Sequence, residues 1–113
     1  MNKVILTAHA KRDLADIKAY ITNRLKNGVA ALRIVASVTK ALHGLEQFPN
    51  MGRVVESDLN ECGYRALVCG DYLAFYRVDG DTVYVDRILY GRRDYMALLF
   101  SDETGTRDDN ENE

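Results

Sequence analysis

The chain has 113 residues, of which 47% are hydrophobic and 28% are charged, and its formal net charge is −2. This length accommodates one domain with a single core and is too short for two, and the composition is that of an ordinary globular protein. No run approaches the roughly 20 apolar residues that cross a membrane, and the N-terminus lacks the features of a secretory signal. The two cysteines, Cys62 and Cys69, match no zinc or redox spacing. We therefore expect a cytoplasmic protein.

The charge is distributed unevenly along the chain. Residues 101–113 hold six acidic residues and one arginine, so this segment carries about −5 and residues 1–100 about +3. The segment has no apolar residue and no periodicity, which predicts a disordered acidic tail over 101–113. We expect residues 1–100 to form a single, mildly basic domain.

Two helical patterns follow a brief β-type run over Lys3–Leu6. Thr7 occupies the expected N-cap position of the first helix, and Lys26-Asn27-Gly28 supplies the stop, because Asn and Gly accept the left-handed conformation. Pro49 closes the second helix. The short link predicts an antiparallel helical hairpin. The apolar stripes of the two helices are Ala10, Leu14, Ile17, Ile21 and Leu25, and then Leu32, Val35, Val38, Leu42 and Leu45.

The second half of the chain has the pattern of a β-meander. Residues 50–63 predict a loop with at most a short extended piece. Turn residues at Gly70-Asp71 and Asp79-Gly80-Asp81 separate three alternating runs. The runs cover Tyr64–Cys69, Tyr72–Val78 and Thr82–Tyr90, and the segment Asp94–Phe100 would add a short helix or strand.

This order predicts an α+β fold, in which an N-terminal strand and an antiparallel helical hairpin pack on a small antiparallel β-sheet. In the last strand, alternation places Val83, Val85, Arg87 and Leu89 on one face and Tyr84, Asp86, Ile88 and Tyr90 on the other. Neither face of the sheet is cleanly polar. We therefore expect both faces to be partly covered, one by the helices and one by something smaller or by a partner.

The strands end in a basic and aromatic cluster over Arg87–Tyr95, a surface suited to a polyanion or an acidic partner peptide. An alternative is that Arg65 and Arg77 form ion pairs with Glu61, Asp71 or Asp79. No glycine-rich loop leads from a strand into a helix, and no residues have metal-ligand spacing. We expect no cofactor and no metal.

Three local matches carry a family resemblance. They are Ala10–Ile17, Phe48–Arg53 and the block Tyr64–Leu99, in which Arg65, Tyr72, Phe75–Val78 and Gly91–Asp94 stand at the family's spacing. On these residues the chain resembles the RelE/ParE superfamily of type II toxin–antitoxin toxins over residues 2–100. The Phe48–Arg53 match and the Gly-Arg-Arg-Asp ending are more similar to the ParE-like branch.

The resemblance implies a plasmid-stabilisation-type growth inhibitor that a cognate antitoxin neutralises, with operator DNA bound only through the antitoxin. ParE-like members poison DNA gyrase, whereas RelE-like members cleave ribosome-bound messenger RNA without a metal. The stretch Ala97–Phe100 lacks the tyrosine that takes part in catalysis in the nuclease branch, which favours gyrase. A third possibility is a weakly toxic or non-toxic module whose main partner is the antitoxin.

Site residues follow from the same resemblance. A metal-free ribonuclease needs cations for the phosphorane and groups that transfer protons. Arg65, Arg77 and Arg93 are the candidate cations and Tyr90 the candidate proton-transfer group, although a phenol is a poor base unless cations lower its pKa. The candidates for binding the target or the antitoxin are Tyr76, Arg87, Arg92, Arg93 and Tyr95.

Overall fold

The computed structural model describes residues 1–55 and 63–91. In these ranges two helices and five strands confirm the predicted α+β class, and the predictions for Asp94–Phe100 and for 101–113 lie outside them. A π-helical turn, Tyr20–Arg24, and a 3₁₀ turn, Gly44–Glu46, extend the two helices. In chain order the main elements are β1 (Lys3–Leu6), α1 (Ala8–Ala19), α2 (Gly28–His43), β2 (Arg53–Val54), β3 (Arg65–Cys69), β4 (Tyr72–Asp79) and β5 (Thr82–Tyr90).

The two helices begin at side-chain caps. The Thr7 hydroxyl accepts a hydrogen bond from Ala10 N at 3.3 Å, which confirms the predicted N-cap of α1. Between the helices, Lys26 takes the left-handed conformation, with φ of 56°, and the prediction that Asn27 or Gly28 would do so was wrong. Asn27 has a different role, since its Oδ1 accepts from Ala30 N at 3.0 Å and so caps α2.

The sheet is mixed, with the strand order β1-β5-β4-β3-β2. Strands β3 to β5 form the predicted antiparallel meander. β2 is the short extended piece in the segment predicted as a loop, and it pairs antiparallel with β3. β1 adds to the sheet as an edge strand that runs parallel to β5, from Lys3 opposite Thr82 to Leu6 opposite Val85. A parallel pair requires a long crossover, and here the helices and the other strands supply it.

Both faces of the sheet are covered, as expected. The helices bury one face in the main core, and the opposite face carries a second cluster around Phe75 and Leu89, with Tyr64, Ala66 and Leu73 packed against it. The fully buried Tyr76 belongs to the main core. The other buried members of that core are Ala10, Val38, Leu42, Leu45, Leu67, Cys69, Ala74, Val83, Val85 and Ile88.

The buried stripe of α2 differs from the predicted one at its start. Leu32 is 61% exposed, whereas its neighbour Ala31 is fully buried. A helix turns by about 100° per residue, so the position seven residues before Val38 lies about 20° from it and the position six before lies about 120° away. The core direction set by Val38 therefore selects Ala31. Leu25, at the end of the first stripe, is also exposed, at 57%.

A β-bulge interrupts β5. Phe75 pairs with Arg87 and Tyr76 pairs with Val85, which leaves Asp86 as the extra residue. Ile88 consequently faces the helices, while Leu89 belongs to the second cluster. The predicted faces of this strand were wrong beyond Asp86, because strict alternation takes no account of an inserted residue.

Helix α2 and its 3₁₀ turn, Gly28–Glu46, are long and apolar enough by composition to cross a membrane. In the fold, Val38, Leu42 and Leu45 pack against the sheet. This length and apolarity differ from the sequence expectation that no run could cross a membrane. Of the apolar stretch, 22% is buried in the fold, and Leu32 is exposed.

Candidate functional site

Arg65 and Tyr76 hold the loop that follows α2. Arg65 Nη1 donates to Gly52 O at 2.8 Å and to Asn50 O at 3.2 Å, and the Tyr76 hydroxyl accepts from Gly52 N at 2.9 Å. Burial raises the pKa of Tyr76, against smaller lowering effects of the Gly52 amide and Arg65. A Cβ at Gly52 would lie 2.7 Å from the Tyr76 hydroxyl and 2.8 Å from Ala66 O, so the loop packs tightly here.

Arg77 belongs to a polar cluster on the sheet face opposite the helices. Its Nε donates to Asp86 Oδ2 at 2.8 Å, and Tyr64 Oη donates to the same oxygen at 3.1 Å. The guanidinium also lies over the Tyr84 ring, 4.7 Å from its centroid. The Asp86 hydrogen bond raises the pKa of Arg77, so its charge persists and is directed at Asp86. The sequence had suggested Asp71 or Asp79 as the acidic partner of Arg77. The structure shows Asp86 in that place.

Arg87 joins β5 to α1. Its Nε and Nη2 donate to Asp13 Oδ2 and Oδ1, at 2.8 and 3.1 Å, which is a bidentate ion pair. Ile88 N also donates to Asp13 Oδ2, at 2.9 Å, so one carboxylate satisfies both the arginine and a backbone amide beside the bulge. Both charged side chains are largely buried, with 19% of Arg87 and 12% of Asp13 exposed.

Tyr90 lines a cleft of about 890 Å³ between the helical hairpin and the ends of β4 and β5. Its ring meets Tyr72 edge to face, with centroids 5.7 Å apart. The pKa of Tyr72 is raised by burial first, and then by Tyr90, Asp71 and Tyr20. The described lining residues are Asp13, Asp16, Ile17, Tyr20, Ile21, Leu25, Asn27, Ala30, Ile34, Asp71, Tyr72, Arg87, Ile88, Leu89 and Tyr90.

The predicted site residues do not converge on one point. Arg65 and Tyr76 lie at the α2 exit loop, Arg77 on the outer sheet face, and Arg87 with Tyr90 at the cleft. The remaining candidates, Arg92, Arg93 and Tyr95, lie outside the described residues. Within residues 1–55 and 63–91, no group of three or more His, Cys, Asp or Glu side chains is placed to hold a metal ion.

Two aspartates that had no predicted role, Asp13 and Asp86, bind the arginines of these clusters. Asp71, predicted as a turn residue and as a possible ion-pair partner, lies at the cleft, where its backbone carbonyl accepts from Gly91 N at 2.8 Å. Asp86 gave one signal in the sequence, as a lone acid inside an apolar strand. Asp13 gave none, because a charged residue on an amphipathic helix is ordinarily a solvated one.

Comparison with known proteins places the chain in a family. The family model described as the ParE toxin of the type II toxin–antitoxin system parDE matches residues 4–95, most of the chain. The chain belongs to the ParE toxin family. No curated protein matches its sequence.

Solved structures agree with this membership and with the fold. The chromosomal ParDE system of P. aeruginosa contains a chain that is 26% identical, with a TM-score of 0.68, 80% of this chain covered and 96% of that one. The RelBE2 toxin–antitoxin complex of Mycobacterium tuberculosis gives 25% identity, a TM-score of 0.60 and coverage of 79% and 96%.

A more distant similarity shows the fold alone. The YoeB/ParE toxin of Agrobacterium tumefaciens is 16% identical, with a TM-score of 0.53 and coverage of 78% and 96%. The family match and the two closer structures make this ParE-family chain a type II toxin of the RelE/ParE superfamily.

Proposed function

We propose that this toxin arrests growth in the bacterial cytoplasm by binding and poisoning DNA gyrase, and that a cognate antitoxin neutralises it. Operator DNA would be bound only through that antitoxin. The family match supports the gyrase branch, and the ParDE and RelBE2 relatives, described as a toxin–antitoxin system and a toxin–antitoxin complex, support an antitoxin partner.

The choice of target rests on one observation, which is that two candidate catalytic arginines are already hydrogen-bonded to groups of the protein itself. Arg65 is bound to two backbone carbonyls and Arg77 to Asp86, at distances down to 2.8 Å. A phosphorane would have to compete with these partners for both cations. Tyr90 borders a cleft that also holds Asp13, Asp16, Asp71 and Arg87, and this arginine is bound to Asp13. These contacts favour a protein inhibitor over a nuclease.

The RelBE2 similarity keeps a ribosome-dependent endonuclease as the second candidate. In that case the prediction for Arg93, which lies outside the described residues, would carry more weight. The third candidate, a non-toxic antitoxin-binding module, predicts that production of the chain alone does not slow growth.

Induced expression separates these candidates. We expect growth to stop when the chain is produced alone and to resume when the protein encoded by the neighbouring reading frame is produced with it. Primer extension on total RNA should then show intact messages. Growth that never slows would leave the non-toxic module, and cleavage within codons of translated messages would replace gyrase by the ribosome as the target.

A further inference from the structure

The helical hairpin is the basic part of the fold. Residues 8–46 contain seven lysines and arginines against three acidic residues, a net charge of +4, whereas the rest of residues 1–100 has a net charge of −1. The hairpin therefore accounts for the basic character of the domain. All seven cations are exposed, and they are Lys11, Arg12, Lys18, Arg24, Lys26, Arg33 and Lys40.

The acidic residues of the hairpin lie apart from these cations. Asp13 is bound to Arg87 of β5, and Asp16 lines the cleft. The carboxylate of Glu46, beyond the end of α2, lies 3.4 Å from the ring of His43. None of the seven cations belongs to the described lining of the cleft. The hairpin is thus acidic towards the cleft and basic on the surface that faces away from it.

Helix geometry directs three of the cations away from the sheet. A residue two positions after a buried one lies about 200° further round the helix, on the opposite side. The pairs of buried and outward residues are Ala10 with Arg12, Ala31 with Arg33, and Val38 with Lys40. Among the described residues, no ion pair involves these three cations. Lys11 and Lys18 add charge along one side of α1, about 10.5 Å apart along its axis.

The surface between these cations is flat and has no apolar anchor. Ala15 on α1 and Ala36 and Ser37 on α2 lie between the cations of their helices, and all three are exposed. Residues 8–19 and 33–43 expose no large apolar side chain. Protein interfaces and membrane surfaces need such anchors, and single-stranded nucleic acids need aromatic rings. The backbone of a duplex needs only accessible cations that neutralise its phosphates.

We infer that this outer hairpin face binds the phosphate backbone of duplex DNA. It comprises Lys11, Arg12, Lys18, Arg33 and Lys40. The inference rests on the proposed function, because gyrase holds duplex DNA and a toxin bound to gyrase would lie beside that DNA. Contacts with phosphates carry no sequence information, so recognition of an operator stays with the antitoxin.

Titration of a fluorescent DNA duplex of about 20 base pairs with the full chain, at several salt concentrations, tests the inference. The variant Arg33→Gln/Lys40→Gln removes two outward cations, and Gln has nearly the same helix propensity as Arg and Lys. We expect the slope of log K against log salt to become about 2 units less steep, because two phosphate contacts are lost. The value of Kd at low salt should rise about tenfold.

A matched control removes the same charge from the edges of the sheet. The variant Lys3→Gln/Arg53→Gln changes one exposed cation on each of the edge strands β1 and β2. It should keep the salt slope of the unchanged chain and a Kd within about twofold of it. Equal losses in the two variants would show that only net charge matters and would overturn the assignment. Tighter binding to an RNA duplex of the same length would assign the face to structured RNA and also contradict the inference.

Supercoiling by purified gyrase separates the inference from the proposed function. We expect the unchanged chain to inhibit and Arg33→Gln/Lys40→Gln to inhibit with a midpoint about tenfold higher at low ionic strength. Equal inhibition together with equal DNA binding would overturn the DNA face and leave gyrase as the target. DNA binding that requires the face, without inhibition of gyrase by the unchanged chain, would support the face and contradict the proposed function.

Discussion

Two side chains fasten the loop that leaves the helical hairpin to the sheet. The hydroxyl of the buried Tyr76 accepts from the Gly52 amide, and Arg65 donates to the Gly52 and Asn50 carbonyls. Backbone groups near a core must find partners, and here side chains of the adjacent strands provide them. At the scale of single residues, a candidate catalytic residue, Arg65, and a candidate binding residue, Tyr76, position the backbone of this loop.

Removing the Tyr76 hydroxyl tests this role. We expect Tyr76→Phe to lower the free energy of unfolding by about 1–3 kcal/mol, because the Gly52 amide would remain buried without its acceptor. The control Tyr84→Phe keeps the ring on which Arg77 stacks and should change the free energy by less than about 0.5 kcal/mol. Urea unfolding followed by circular dichroism measures both, and equal effects would count against the role given to Tyr76.

The buried thiol of Cys69 should make the stability of the fold depend on pH in the alkaline range. Burial raises the pKa of its thiol from 9.0 to about 11, so the folded state keeps a proton that the unfolded state loses between these values. Stability is therefore full below pH 9 and falls as pH rises towards 11, by about 2–3 kcal/mol at about 1.4 kcal/mol per pH unit. Cys69→Ala should unfold at a lower urea concentration at pH 8 but show a shallower decline from pH 9 to 11. An unchanged slope would refute the prediction.

At the scale of elements, hydrogen bonds join the first helix to β5 next to its bulge. The bulge at Asp86 shifts the strand register. Beyond it, Asp13 of α1 binds both Arg87 and the Ile88 amide. This connection forms part of the cleft lining, since Asp13, Arg87 and Ile88 all line the cleft.

The register of α2 gives a prediction at the same scale. Val38 is 1% exposed and Leu32 61%. Val38→Ala should therefore lower the free energy of unfolding by about 2 kcal/mol or more, whereas Leu32→Ala should lower it by less than about 0.5 kcal/mol. The denaturation midpoints of the two variants provide the measurement. A larger loss of unfolding free energy for Leu32→Ala than for Val38→Ala would contradict the observed register and support the stripe expected from the sequence.

These elements also show how far the sequence determines the structure. Periodicity and turn residues are local signals, and they identify both helices, the Thr7 cap and the strand Thr82–Tyr90. The bulge in β5 inserts a residue that strict alternation does not count, and the pairing of Asp13 with Arg87 joins residues 74 apart in sequence. Alternation cannot reveal such a contact, so the basic and aromatic cluster of the sequence did not reveal that Arg87 lies in an acidic cleft.

On the scale of the whole molecule, charge is segregated. Residues 1–100 are basic overall at +3, yet the described lining of the cleft between the helical hairpin and the sheet is acidic, and two of the candidate catalytic arginines are bound within the fold. This arrangement and the family match support the proposal that the chain binds and poisons gyrase.

The most direct measurement is inhibition of supercoiling by purified gyrase, with the unchanged chain and with Arg77→Gln. We predict that both inhibit, with midpoints within about threefold of each other, since Arg77 is held by Asp86 on the outer sheet face. Ribosome-bound message incubated with the same samples should stay intact. Supercoiling that continues at every toxin concentration, together with message cleavage that Arg77→Gln abolishes, would contradict the account.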